Sequence, residues 1–383
     1  MRNTLSRRLG QVCLVAAVLV LGGVLVAAAG AVPPPTVTTV VSGLDNPRDL
    51  AFGPDGSLYV AEAGHGGPEC FGGGEEGTTC VGFTSQISKI DIGGGTFAPI
   101  VTGFVSTAGD DGSFATGIDG VSVSRSGSIF GIETGSADSV PDSIPGVSSS
   151  TIQRAKAELG RLLVDPPGRV SIVADVGDRD FEWSAGNANL VPGQFPDANP
   201  YGVFALNDGE VWVVDAGANT LDRVQIGPGG RWNSIGIAAF VPNPPSSDSV
   251  PTCVDRGPDG ALYIGILTGG GNVPGASIVY RYTPQSGLTQ WATGLTAVTG
   301  CGFAPNGTFY AVEFSTLGLD NAAPGTGALV AVPPHSISPT LIAGGFSFPG
   351  GFAAGPDGSL YFSNWSIAPA SWGTGSVVQV KLP

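Results

Sequence analysis

One short pattern, an apolar run, a Gly-bearing turn and a second apolar run, recurs six times along this chain. The copies are Asp49–Val60, Gly120–Gly131, Gly202–Val213, Val254–Ile264, Gly302–Ala311 and Gly351–Phe362. Four of the turns read Pro-Asp-Gly or Pro-Asn-Gly. Each residue there has a job: Pro presets φ, Asp or Asn bonds its own backbone two residues on, and Gly takes positive φ. A repeat of this period marks supersecondary units that cannot bury their own faces and must stack on one another. Six of them predict an all-β, six-bladed β-propeller.

Composition agrees with that reading. The chain has 383 residues, 62 of them Gly and 31 Pro, with only 12% charged, a balance that favours turns over helices. The one helix-like stretch is Thr151–Leu159. The strands are apolar on both faces, as expected when every sheet lies between two others.

The N-terminus carries Arg2, Arg7 and Arg8, an apolar run from Val12 to Ala29 and a small-residue exit at Ala27–Ala31. That order reads as a secretory signal over residues 1–31, leaving 32–383 as a single propeller domain. A retained anchor is the alternative, because the run is long enough to span. Without the signal, 13 of the 16 basic residues remain against 31 acidic ones, a net charge of −18. Nucleic acid and anionic lipid are thereby excluded as partners; cations and neutral or cationic ligands are favoured. Four cysteines lie beyond the signal, and an even number in an exported chain suggests two disulfides, with three connectivities open. Cys70 and Cys80 bracket one Gly/Glu-rich loop and are expected to pair. Cys253 and Cys301 begin corresponding runs in neighbouring repeats, where inner strands come close.

The blades are expected at 44–103, 116–176, 199–240, 250–294, 298–344 and 349–383. The last runs out of chain before its fourth strand, whereas Thr36–Gly43 resembles the fourth strands elsewhere. It would complete that blade and close the ring, removing open edges. Alternating strand direction then puts the short turns on one face of the disc and the long insertions on the other: Ala63–Ser85, Thr134–Glu158, Gly177–Pro200, Val241–Ser249 and Ser315–Thr326. Long loops on a rigid scaffold are where binding sites form.

Each second strand ends at that long-loop face, at Glu62, Glu133, Asp215, Ile266, Glu313 and Asn364. The innermost strands begin there and add Asn46, Arg48, Asp49, Asp119 and Asn199. Oxygen donors converging on a channel predict a hard-cation site, with calcium the simplest occupant and Glu62, Asp119, Glu133, Asn199 and Asp215 its ligands. The alternative is structural: the same groups accept backbone hydrogen bonds from the next blade's loops. Of the two histidines, His65 lies on the long-loop face and is the candidate general base; His335 falls in a short turn on the far face. No Gly-x-Ser-x-Gly elbow is present. Asp175, Asp178, Asp180 and Glu182 read as a solvated acidic loop, and the Gly-rich runs as ordinary turns. Trp365 and Trp372 flank the last long-face loop and offer an aromatic platform for sugars or ring systems.

The segments Gly43–Glu62, Leu159–Val164 (Leu-Gly-Arg-Leu-Leu-Val), Asp197–Gly202 (Asp-Ala-Asn-Pro-Tyr-Gly) and Gly257–Ile264 make the chain similar to the ScyD/ScyE family of exported proteins. The resemblance implies an extracytoplasmic propeller and brings no catalytic residues with it. The expected role is a module that binds a small molecule or an extracellular protein through the long-loop face. One alternative is a cation-dependent hydrolase resembling gluconolactonase/regucalcin propellers, with the five oxygen ligands above and His65 or a carboxylate as base. A second is a quinone-dependent sugar dehydrogenase, for which Arg48 is the one well-placed basic residue.

Overall fold

The computed structural model describes residues 33–72, 77–165, 168–245, 247–270, 273–332 and 338–383. The signal segment and His335 lie outside the described residues. Residues Pro34–Pro383 form one compact unit, built of six antiparallel sheets arranged as the blades of a propeller. From the channel outward, blade 1 holds Pro47–Phe52, Leu58–Glu62, Thr78–Asp91 and Thr96–Gly109. Blade 2 holds Ile118–Val123, Ile129–Glu133, Arg161–Asp165 and Ser171–Asp175; blade 3 holds Pro200–Asn207, Glu210–Asp215, Thr220–Ile226 and Asn233–Phe240. Blade 4 holds Pro251–Arg256, Leu262–Ile266, Ser277–Thr283 and Gly287–Leu295; blade 5 holds Val298–Phe303, Phe309–Glu313, Gly327–Val332 and Thr340–Phe346. Blade 6 holds Phe352–Ala354, Leu360–Asn364 and Gly375–Lys381, and its fourth strand is the N-terminal Thr36–Leu44, paired antiparallel from Thr36 opposite Lys381 to Leu44 opposite Gly375.

The repeated turn folds each hairpin by the chemistry its residues supply. In Pro-Asp-Gly, Asp55, Asp259 and Asp357 each accept the N–H two residues on, at 3.0, 3.1 and 3.0 Å; Asn306 does the same to Thr308 at 3.0 Å. Gly56 follows at φ 80°, a value that a side chain would strain.

Instead of one central core there are six apolar layers, one between each pair of adjacent blades. Blades 4 and 5 share Tyr263, Val279, Leu295, Val298 and Phe309; blades 6 and 1 share Leu50, Val60, Tyr361 and Val377. This explains why the second strands of blades 1, 2, 4 and 5 are buried at every position. Polar side chains stitch the inner strands across blade boundaries: Ser122 Oγ accepts the Ala205 N–H at 3.0 Å, Asp255 Oδ2 the Phe303 N–H at 2.8 Å, and Thr252 Oγ1 donates to the Val298 carbonyl at 2.7 Å. Cys253–Cys301 joins blades 4 and 5, and Cys70–Cys80 closes a local hairpin, so both expected disulfides form.

Two insertions differ from the sequence reading. Ala63–Ser85 is not a loop: Glu69–Gly72 pairs with the start of the third strand, and the third and fourth strands of blade 1 each run 14 residues. A long hairpin results, because Thr78–Phe83 and Phe104–Gly109 continue the β pattern past the expected strand ends. Helix α1, Ser149–Glu158, packs Ala155 against Val81 and Val105 of this hairpin, and Glu69 accepts the Ser148 N–H at 2.6 Å. The second difference is helix α2, Val176–Gly186, where a solvated acidic loop was expected. Asp175 caps its N-terminus by accepting the Asp178 N–H at 3.2 Å, and Asp180 points inward, fully buried. Acidic residues in a first helical turn are favoured by the helix dipole, a signal that a reading for calcium loops passes over.

Candidate functional site

Second-strand ends and first-strand beginnings do meet at the long-loop mouth of the channel. The geometry there depends on a repeated backbone device. A residue leading into the inner strand adopts a left-handed conformation in blades 1, 4, 5 and 6: Asn46, Val250 and Ala297 immediately before it and Phe348 four residues ahead, at φ 50°, 51°, 46° and 47°. This bulge turns a backbone N–H away from the ladder, and in most blades the polar side chain ending the second strand receives such a lead-in N–H. Glu62 Oε2 accepts from Asp45 at 2.7 Å, Glu313 Oε1 from Thr296 at 2.8 Å, and Asn364 Oδ1 from Ser347 at 2.9 Å. Blade 3 does the same without the left-handed residue: Asp215 Oδ1 accepts from Asn199 at 2.8 Å, and also from Gly217 and Ala218. In these four blades the lock joins the second strand to the lead-in of the same blade, not to the next blade's loops as the structural alternative had it.

Glu62 is further occupied by Gln86 Nε2 at 2.8 Å and by the Ser88 hydroxyl. Asn199 Oδ1 accepts the Thr134 hydroxyl. Of the five oxygen ligands expected from sequence, Glu62, Asn199 and Asp215 therefore already hold protein donors. Asp119 pairs with a cation of the protein's own: Arg48 Nε lies 3.4 Å from Asp119 Oδ1, with both side chains buried, and Arg48 Nη2 donates to the Ala115 carbonyl. Burial pushes the Asp119 carboxyl up to about 6 despite that guanidinium. Of the five, only Glu133 has both oxygens buried with no hydrogen-bond partner, and burial, with Asp119 and Glu158 adding their charges, holds its pKa well above the ordinary value. Donors on Glu62, Asn199 and Asp215 and the positive charge of Arg48 at the mouth supply part of what calcium would supply there. Among the described residues no group of three or more His, Cys, Asp and Glu side chains is arranged to hold a metal ion.

Below the mouth the channel opens into a cavity of about 260 Å³, lined by all six inner strands and including Asp49, Asp255 and the Cys253–Cys301 bridge. Burial raises Asp49 to about 7 and Asp255 to about 6. Tyr201, beside Arg48, is pushed up to about 12 by burial and stays neutral.

His65 sits apart from this cluster. Its imidazole pairs with Asp45 at the surface, half-exposed, with no nucleophile in the pair. On the loop that carries Ala370 begins a run of aromatic rings of which the sequence reading found only two. Trp372 lies 5.9 Å from Trp365 edge-on, Trp365 5.8 Å from Phe348, and Phe348 5.4 Å from Phe314. The Ala370 N–H donates to the Asp111 carbonyl at 3.2 Å, and a Cβ on Gly112 would stand 2.8 Å from Ala370 Cβ and 3.2 Å from His65 Cβ. Loops of blades 5, 6 and 1 thus adjoin one another here, with Trp372 56% and Phe114 50% exposed. Phe114 could be found only through the fold, because it is remote in sequence from Ile367, whose carbonyl receives its N–H at 3.4 Å.

Six sheets, a strand exchanged between the chain's ends and a mouth lined by structural carboxyls define the class: a closed six-bladed β-propeller with its candidate surface on the long-loop face. No protein-family profile and no curated protein matches the chain. Among solved structures, it is similar to a protein of unknown function from Bacteroides thetaiotaomicron VPI-5482 at 10% identity and TM-score 0.54, covering 91% of this chain and 76% of that one. It is also similar to a gluconolactonase from Xanthomonas campestris at 9% identity and TM-score 0.53, covering 91% and 90%. At such identities the likeness is one of fold.

Proposed function

We propose that this chain is an exported propeller of the ScyD/ScyE type that binds a neutral or cationic small molecule bearing a ring, such as a sugar, on its long-loop face. The observation that carries the reading is the Trp365–Trp372 pair with Trp372 largely exposed, on a loop whose Ala370 comes close to Gly112 and, across it, to His65. Exposed aromatic faces gain from stacking on a ring, and neighbouring polar groups fix its orientation. The net charge of −15 disfavours anionic ligands. The two disulfides accord with an extracytoplasmic setting.

The test is a calorimetric and tryptophan-fluorescence titration with a panel of neutral and amino sugars and aromatic ammonium compounds. Saturable binding that Trp372→Ala weakens by about tenfold, roughly 1.4 kcal/mol, supports the reading; a panel that produces no saturable signal sinks it. The cation-dependent hydrolase keeps one supporting observation, the unpartnered Glu133. Stoichiometric metal in dialysed protein, lost together with esterase or lactonase turnover in Glu133→Gln, would move the assignment there.

A further inference from the structure

Beside the channel mouth, α2 brings three carboxyl groups together. Asp180 comes from α2, Asp215 ends the second strand of blade 3, and Asp222 lies on its third strand; all three are 0% exposed. Asp215 Oδ1 serves three backbone N–H groups, and Asp222 Oδ2 accepts the Thr220 hydroxyl at 2.9 Å. The other oxygens, both of Asp180, Oδ2 of Asp215 and Oδ1 of Asp222, have no donor. The Asp180 carboxyl lies within hydrogen-bonding reach of both neighbours.

Three ionised carboxylates cannot share a site without water: each repels the others, and none is solvated. The surrounding charges do not relieve them. Arg161 is paired with Asp175 and Asp178, and Arg179 reaches Glu182 at 3.2 Å on the exposed side of α2. Asp197, packed on Ser184, and Asp248 behind it add negative charge. A proton on Asp180 resolves the conflict, because a carboxylic acid is a donor and its neighbours offer empty acceptors.

The helix is also tied to the channel mouth. Ser184 Oγ donates to the Asp197 carbonyl at 2.8 Å and accepts the Asp197 N–H at 3.0 Å. Two residues further on, Asn199 bonds Thr134 and Asp215, and it leads into the inner strand that carries Tyr201.

From this geometry we infer that the Asp180–Asp215–Asp222 cluster is a proton-operated latch: protonated, it holds α2 on blade 3; deprotonated, it lets α2 and the 187–199 lead-in loosen beside the channel mouth. The direction follows from burial and the like charges, which raise all three carboxyls above their ordinary values, so the latch weakens as pH rises.

Hydrogen–deuterium exchange of residues 176–186 in the full chain with EDTA, at about pH 5 and about pH 8.5 and corrected for intrinsic rates, reads the latch directly. The wild type should lose protection by about tenfold or more at the higher pH, and Asp180→Asn, whose amide donates without titrating, should keep it at both. Equal protection of the wild type at both pH values overturns the proposal, as does an Asp180→Asn variant that loses protection like the wild type. So does calcium that restores protection at high pH, since the neutralising species would then be a cation. If Asp180→Asn does not fold, Asp222→Asn, which removes a neighbouring negative charge and acceptor that favour the proton on Asp180, should move the midpoint of the loss downward by about one pH unit; an unmoved midpoint overturns the proposal.

Discussion

Glu133 and Thr116 stand in the same relation as Glu62 and Asp45, yet they do not bond: the Thr116 N–H donates to the Thr107 carbonyl at 2.8 Å, and both Glu133 oxygens are left without a partner. Thr107 belongs to the lengthened fourth strand of blade 1. The hairpin that grew out of one blade has taken the donor that the next blade's glutamate would have used.

This difference predicts different outcomes for two similar changes. Glu313→Ala should destabilise by about 1–3 kcal/mol, because the buried Thr296 N–H loses its acceptor. Glu133→Gln should leave stability nearly unchanged, because it breaks no bond and burial already disfavours the charged form of the carboxyl it replaces. Urea denaturation midpoints at neutral pH compare the two.

Burial raises Asp49 to about 7, Asp119 and Asp255 to about 6, Glu313 to about 7 and Asp222 to about 8. A carboxyl whose folded pKa lies above its unfolded value binds protons more tightly when folded. Each such group therefore costs stability as pH climbs from its unfolded pKa to its folded one. The protein should be most stable near pH 4–5 and lose stability progressively up to about pH 8, where most proteins are flat. Denaturation midpoints measured across that range check the sign.

Removing residues 36–44 takes away the fourth strand of blade 6 and bares the edge Gly375–Lys381. The shortened chain should lose cooperative unfolding and self-associate through that edge, since unpaired strands template pairing with other chains. Size-exclusion chromatography alongside a thermal melt reports both effects.

The two disulfides should differ in worth. Cys253–Cys301 spans 48 residues and Cys70–Cys80 only 10, so chain entropy assigns them about 4 and about 3 kcal/mol. Cys253→Ser/Cys301→Ser should lower the global denaturation midpoint. Cys70→Ser/Cys80→Ser should act mainly on the hairpin, read as faster hydrogen exchange over residues 77–83.

The sequence by itself determined the number of blades, the strand that closes them and the face that carries the long segments, and it suggested the two cysteine pairings that the structure shows. Each of these follows from local chemistry repeated along the chain: Asp55, Asp259 and Asp357 make the same turn wherever Pro-Asp-Gly occurs. The roles of the converging oxygens were decided by the tertiary structure. Glu62, Glu133 and Asp215 occupy matching sequence positions, but one is filled by backbone and side-chain donors, one is left empty and one is drawn into a cluster with Asp180. A carboxyl's work depends on which donors lie within a few ångströms of it. Those donors come from chain segments remote in sequence: Thr107 lies on the strand that occupies Thr116, and Asp180 lies on a helix that the repeat does not encode.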